Sequence, residues 1–191
     1  MDEQQIPITF KAVDQEAELH QILKLQQINL PKNISKNESV EQGFVTVEHN
    51  FPLLANMNKS APQIIATTGK DVVGYALVML ESFADQIPVL IPMFEKLATL
   101  YYEGKSFLEY RYYVMGQVCV DKGFRGRGLF DGMYHEQRRQ LSGEYDFVVT
   151  EVATRNTRSM RAHERVGFKT ILVYTDPDHG EEWAIILWDW K

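Results

Sequence analysis

A chain of 191 residues is about one and a quarter times the ~150-residue size of a common domain, so a single globular domain over residues 1–191 is the economical reading. Its 45% hydrophobic, 12% aromatic and 24% charged residues lie near globular averages and exclude disordered, collagen-like and disulfide-scaffold chains. With 20 Lys and Arg against 26 Asp and Glu, the net charge of −6 argues against a general nucleic-acid binder, and the lone Cys119 excludes an internal disulfide or a Cys-rich zinc module.

The amino terminus begins acidic, without the basic flank and apolar stretch of a secretory signal, and no segment reaches the ~18 to 20 apolar residues that span a bilayer. A soluble, cytoplasmic protein is expected. Ile8 to Val13 reads as a strand, after which Asp14 can cap a helix with Leu19, Ile22, Leu23, Leu25 and Ile28 at helical spacing, stopped by Pro31. Lys32 to Glu41 is polar and unpatterned, a loop, followed by a short strand near Phe44 to Val47 and a short helix around Leu53 to Met57. Ile64 to Thr68 and Val72 to Leu80 are β-rich runs broken at Gly69-Lys70-Asp71, the pattern of a hairpin.

From Glu81 to Arg111 the chain carries Pro88 and Pro92 and then Met93, Phe94, Leu97, Leu100 and Tyr101, which predict one helix on an excursion longer than a simple connection. The carboxyl half is more regular. It predicts a strand at Tyr112 to Val120, a glycine-rich loop, a helix from Gly128 to Leu141 and a strand at Asp146 to Val152. A helix at Thr157 to Val166 and strands at Phe168 to Tyr174 and Trp183 to Trp188 complete it. Strand, loop, helix, strand is a crossover unit, so part of the sheet should be parallel. With hairpins flanking it, the expected fold is α/β, a mixed and partly parallel sheet with helices on both faces.

The loop Asp121-Lys-Gly-Phe-Arg-Gly-Arg-Gly-Leu129-Phe130 sets Gly123, Gly126 and Gly128 between a strand and the head of a helix. Such a junction suits an anion, because the first helical amides lack internal acceptors and the helix dipole favours negative charge. Glycines admit phosphate oxygens close to the backbone, and Arg125 and Arg127 add charged donors. The spacing is neither G-x-x-x-x-G-K-[ST] nor G-x-G-x-x-G, so the common nucleotide folds lose ground. The plainer alternative is a tight strand-to-helix turn with both arginines solvated. Further on, Asn156 can cap a helix or keep its amide for a ligand, Met160, His163 and Val166 follow at three-residue steps, and Gly167 ends the helix before Phe168.

These two segments resemble the GNAT family of N-acetyltransferases. The family's acetyl-CoA loop, Q/R-x-x-G-x-G/A, is matched by Arg125-Gly126-Arg127-Gly128-Leu129-Phe130, and its later motif by Asn156, His163, Gly167 and Phe168. The likeness is firm from about Tyr112 to Tyr174 and weak across residues 81–111, which read as an insertion. Two positions depart from the pattern: Phe130 is bulky where the family has a small residue, and His163 stands where many members carry a tyrosine that protonates the departing thiolate.

The resemblance implies an acetyl-CoA-dependent N-acetyltransferase with no metal. Arg125, Gly126, Arg127, Gly128, Leu129 and Phe130 would hold the CoA diphosphate, with Asn156 as a further cofactor contact, and the backbone of Val118, Cys119 and Val120 would align the pantetheine as an added strand does. An amine attacks the thioester directly while a backbone amide polarises the oxyanion. Because an alkylamine of pKa ~10.4 is mostly protonated at neutral pH, a base is needed. Glu151, Glu109 and Glu81 are candidates, Glu151 being preferred, and His163 is the candidate acid; for each of them a packing or solvated role is the competing reading. Cys119 reads as a small buried residue rather than a nucleophile. The acceptor would be a small-molecule or protein amine, with no nucleic acid and no membrane involved. The aromatic-rich insertion is expected to wall its pocket, and the Trp183, Trp188 and Trp190 end could serve a homodimer contact as readily as the core. The alternative function is a non-catalytic acyl-CoA-binding sensor.

Overall fold

The computed structural model describes residues 7–33, 47–176 and 180–191. All but Val47 of the strand expected at Phe44 to Val47, and most of the loop at Lys32 to Glu41, lie outside the described residues. Among the described residues, nine strands are β1 (Ile8–Ala12), β2 (Ile64–Thr68), β3 (Asp71–Met79), β4 (Tyr101–Tyr102), β5 (Lys105–Ser106), β6 (Tyr112–Val120), β7 (Phe147–Ala153), β8 (Lys169–Thr175) and β9 (Glu182–Asp189). The α-helices are α1 (Glu16–Ile28), α2 (Phe51–Ser60), α3 (Ile91–Ala98), α4 (Leu129–Leu141) and α5 (Thr157–Val166). Seven strands form one sheet in the order β1-β2-β3-β6-β7-β9-β8, with β6 and β7 parallel, and β4 pairs with β5 separately. This is the mixed, partly parallel α/β architecture expected from the crossover unit.

The chain divides into two compact units, one running to Val78 and including Gln117–Gln137, the other made of Met79–Gly116 and Arg138–Lys191. In the first unit, β1, β2 and β3 are antiparallel neighbours, from Ile8 opposite Thr68 through Ile64 opposite Ala76. Gly69, with φ +60, makes their expected hairpin turn. Ile64, Ile65, Tyr75, Ala76 and Leu77 are fully buried there beside Ile22, Leu54 and Met57 of the helices.

Two expectations about helix ends are corrected. Gln15, not Asp14, is the N-cap of α1. The Glu18 carboxylate reaches back to the backbone N–H groups of Asp14 and Gln15 at 3.1 and 3.2 Å, while the Asp14 carboxylate is taken up by Lys11 at 2.8 Å. The helix expected around Leu53 to Met57 starts earlier, at Phe51, because the Asn50 side chain caps it by accepting from Leu53 N–H at 2.9 Å.

In the second unit, three parallel pairs, Tyr112 with Phe147, Tyr113 with Val148 and Val114 with Val149, join β6 to β7. The register of β9 runs from Phe147 opposite Asp189 to Ala153 opposite Trp183, and β8 lies at the edge beyond it. Residues 81–111 are structured: 3-10 turns at Glu81–Gln86 and Pro88–Leu90 lead into α3. This helix stops at Ala98, short of the expected Tyr101, because Tyr101–Tyr102 and Lys105–Ser106 pair as a small hairpin. The turn between them has Glu103 and Gly104 at φ 46 and 80. Phe107 is fully buried in a ring cluster, 5.2 Å from Phe147 and 5.5 Å from Tyr112, and Tyr102 donates to the Asp189 carboxylate at 3.0 Å. Packing therefore accounts for most of the insertion's aromatic residues.

Candidate active site

In the first unit, β6 runs into the glycine-rich loop. The Asp121 N–H donates to the Val73 carbonyl at 2.9 Å, and the Asp121 carboxylate accepts from Gly123 N–H at 2.8 Å, folding the loop back as a 3-10 turn. Gly126 and Gly128 then take φ +76 and +77, a region that disfavours side chains, and both face open space where a side chain would project. The first helical bond of α4 closes from Gly132 N–H to the Gly128 carbonyl at 2.9 Å, so the amide groups of the preceding turn project from the helix head. Leu129 is buried and anchors that head, while Gly126, Arg127 and Gly128 are exposed. The result is an exposed cradle of backbone donors at the positive end of a helix.

The two loop arginines behave differently. Arg125 turns inward: its Nε donates to the Val120 carbonyl at 3.2 Å and its Nη2 to the Asn29 side-chain oxygen at 3.0 Å, which ties the loop to the end of α1. Arg127 lies over the Phe124 ring at 5.1 Å and stays exposed. The bulky Phe130 packs one helical turn along against buried Tyr134, ring centres 5.0 Å apart, so its size is taken up along α4. Gly74 of β3 is a component without a motif: a side chain there would come within 3.2 Å of the Cys119 carbonyl and 3.3 Å of Met133. Cys119 is buried beside Tyr75, and burial pushes its thiol up to about 11, which keeps it protonated. Val118 and Val120 alternate with it on the half-exposed side of the strand.

In the second unit, the β6–β7 ladder ends at Val114 and Val149, and the Thr150 hydroxyl makes the next link by donating to the Met115 carbonyl at 3.1 Å. Glu151 follows immediately. Its half-buried carboxylate accepts a short hydrogen bond from the Tyr174 hydroxyl of β8, and burial raises its pKa against the opposing effect of that bond. The other two carboxylates weighed in the sequence are exposed. Glu109 accepts from Ser106 N–H at 3.0 Å as part of a turn cap, and Glu81 acts electrostatically on the Tyr112 phenol, which burial pushes up to about 12.

Asn156 caps α5, its side-chain oxygen accepting from Ser159 N–H at 3.1 Å, so the capping role open in the sequence is filled by the oxygen end of the amide. His163 is 3% exposed, with its ring edge-on to Phe168 at 5.0 Å. Its Nδ1 lies 2.8 Å from the Ser159 carbonyl, which can only accept, so Nδ1 carries the proton. Burial lowers its pKa to about 4, leaving a neutral ring at physiological pH. Gly167 ends the helix at φ 125. Two residues that the sequence reading did not select, Tyr174 and Lys96, meet here: the Lys96 ammonium of α3 sits over the Tyr174 ring at 5.1 Å. Alternation along β8 could have suggested Tyr174, whereas nothing local marks Lys96. Among the described residues, no group of three or more His, Cys, Asp or Glu is placed to hold a metal ion, and no helix is long and apolar enough to cross a membrane.

No protein-family profile matches the sequence, and no curated protein matches it either. Solved structures do match by shape along nearly the whole chain. An acetyltransferase of the GNAT family from Streptococcus pneumoniae has a TM-score of 0.60 at 10% identity, covering 95% of this chain and 98% of that one. The ribosomal-protein-alanine N-acetyltransferase from Brucella melitensis gives 0.60 at 16% identity, with 95% and 99% covered. Arabidopsis thaliana NAA60 in complex with acetyl-CoA gives 0.62 at 14% identity, with 96% and 99% covered. The β6–β7 ladder that ends after three pairs and the glycine loop at the head of α4 thus belong to a chain with the fold of the GNAT acetyltransferases.

Proposed function

We propose that the protein transfers an acetyl group from acetyl-CoA to a primary amine, as a small molecule or on a protein. The observation that carries this reading is the exposed loop at Gly126 and Gly128, open to 4 Å where side chains would project and leading into the head of α4. Diphosphate oxygens would be met by amides of Gly126 to Phe130 and by the Arg127 guanidinium, while Arg125 holds the loop in shape. The backbone of Val118, Cys119 and Val120 would take the pantetheine as a strand takes a neighbour. In the second unit, a β6 amide beyond Val114 would face the carbonyl oxygen as it gains charge, and Glu151 would take the proton of the amine. Asn156 shapes the start of α5, and His163 packs beneath Phe168. His163 donates its Nδ1–H to the Ser159 carbonyl and burial favours its neutral ring, which supports a packing role for it.

A thermal-shift series tests the cofactor half. Acetyl-CoA should raise Tm, ATP and NAD should leave it unchanged, and Gly128→Val, which puts a side chain into the loop at positive φ, should remove the shift, with circular dichroism of the variant separating lost binding from lost fold. Thiol release with a panel of amines tests the chemistry. The second reading, an acyl-CoA-binding sensor, draws on the neutral, buried His163. It is the outcome if acetyl-CoA stabilises the protein and no amine releases thiol. Absence of any acetyl-CoA shift overturns both.

A further inference from the structure

Side chains alternate across a strand, so Phe147, Val149 and Glu151 of β7 share one face. At its Phe147 end that face is sealed by Tyr102, Phe107, Tyr110 and Tyr112, with ring centres 5.1 to 5.8 Å from Phe147. The same segment that supplies these rings also supplies α3. Glu151 sits opposite Ile185 on β9, and β9 pairs in turn with β8, where Tyr174 sits opposite Trp183. Glu151, Tyr174, Trp183 and Lys96 are all half-buried, so the face is open at this end rather than closed as at Phe147.

A half-buried carboxylate is an awkward base. Left alone it can swing among rotamers, and burial favours its protonated form, in which it takes no proton. Tyr174 answers both problems. Its hydroxyl donates to Glu151 Oε1, and burial together with the Glu151 charge raises the phenol's pKa, so the phenol keeps the proton that it donates. The Lys96 ammonium over the ring, at 5.1 Å, is attracted by the π face and draws electron density from the phenol, strengthening its hydroxyl as a donor. The charged and titratable groups acting on Glu151 are Tyr174 and Asp176 on the β8 side and Lys96 from α3; of these only Asp176 opposes ionisation beside burial itself.

We propose that Tyr174, braced by Lys96, is a positioning residue that aims the Glu151 carboxylate and keeps it ionised to receive the proton of the acceptor amine. This rests on the acetyl-transfer reading above. The ammonium gives one proton to Glu151. The freed lone pair forms the C–N bond to the acetyl carbon, and the C–S electrons leave on the CoA sulfur. The nitrogen's surplus proton passes through water to that thiolate, and Glu151 returns its own to solvent. Ammonium and acetyl-CoA thus become amide, CoA thiol and one released proton.

The experiment uses full-length protein with the best amine from the thiol-release panel and follows kcat/KM against pH, beside carboxyl-carbon NMR titration of Glu151. Glu151→Gln should lose at least ~100-fold in kcat/KM, the scale of general base catalysis. Tyr174→Phe should move the acidic limb upward by about one pH unit, with the same direction in the NMR titration, and Lys96→Met should move it less. A purely structural tyrosine would lower the rate at every pH without moving the limb, and that result overturns the proposal. So does a Glu151→Gln variant with wild-type rate. Failure of the acetyl-transfer reading looks different: wild-type protein then releases no thiol with any amine, which removes the catalytic role of Tyr174 whatever its effect on the titration.

Discussion

Gln26 grips His49 at two points: its side-chain oxygen accepts from the His49 backbone N–H and its side-chain nitrogen donates to His49 Nδ1, each at 2.8 Å. The backbone donor fixes which end of the amide is oxygen, and that orientation obliges His49 Nδ1 to be an acceptor. The remaining Gln26 hydrogen goes to the Gln117 side-chain oxygen at 2.8 Å, which also accepts from the Tyr75 hydroxyl at 2.6 Å, while Gln117 Nε2 donates to the Val47 carbonyl at 2.8 Å. Strand β6 is thereby joined to α1 and to the chain at Val47–His49 by a buried chain of polar groups, every one of them paired. Such a network fixes register more sharply than apolar packing does, and its members are costly to remove singly.

Acid should therefore weaken the fold before carboxylates matter. Protonating His49 would set its Nδ1–H against a Gln26 N–H, and burial lowers its pKa to about 4 from an ordinary 6.5; burial does the same to His163. Both folded values lie below the unfolded one, so the unfolded chain binds more protons between them and stability rises with pH across that window. The stabilisation is whole above about pH 6.5 and declines as pH falls toward about 4. Urea midpoints taken across this range should fall steadily, and a flat profile down to about pH 4.5 would contradict the buried neutral histidines.

Gln117→Ala should cost more than its modest size suggests. It strands a Gln26 donor, the Tyr75 hydroxyl and the Val47 carbonyl in the interior, each worth about 1–3 kcal/mol if left unpaired. A drop of roughly 3 kcal/mol in urea-measured stability is expected, and Gln26→Ala combined with it should add much less than its own single effect. Full additivity of the two would show that the residues do not act as one network.

Periodicity and punctuation made much of this architecture legible. Tyr112–Val120 and Thr157–Val166 were readable to the residue, because each is bounded by a local signal: a glycine-rich loop after the strand, and Asn156 and Gly167 around the helix. Around α3 the apolar spacing ran on through Leu100 and Tyr101 and hid the Glu103-Gly104 turn, a hairpin signal of just the kind the spacing overrode. In the candidate site, the loop glycines were visible because their conformation is a local demand. The partners of Arg125 and Glu151 were not, since Asn29 and Tyr174 come from positions far along the chain and carry no spacing that marks them. Gln26, Gln117 and His49 were invisible for the same reason: buried polar groups are chosen for one another across tertiary contacts.

Cys119 offers a simple reagent test. Cys119 is 7% exposed and burial pushes its thiol up to about 11, so little thiolate exists at neutral pH and access to it is restricted. Alkylation by iodoacetamide should be at least ~100-fold slower in native protein than in urea-unfolded protein, and Cys119→Ala should leave amine-dependent thiol release within about threefold of wild type. Rapid native labelling that abolishes acetyl-CoA binding would instead put the sulfur at an accessible part of the cofactor site.

Gly167 is the position where a single methyl group should do most harm to the second unit. The residue closes α5, donating to the His163 and Glu164 carbonyls at 3.1 and 3.0 Å, and does so at φ +125, where an L side chain is strained whatever surrounds it. Surroundings add to the strain: a Cβ there would lie 2.7 Å from the Trp188 indole nitrogen, and Trp188 is buried with its ring against Phe168 and Trp190. Gly167→Ala should cost about 3 kcal/mol, roughly 10 °C in Tm for a chain of this size. Gly143 supplies the control, since it has nothing within 4 Å and no positive φ, and Gly143→Ala should leave Tm unchanged or slightly higher. Equal effects at the two sites would mean that Trp188 does not pack against the helix end as described.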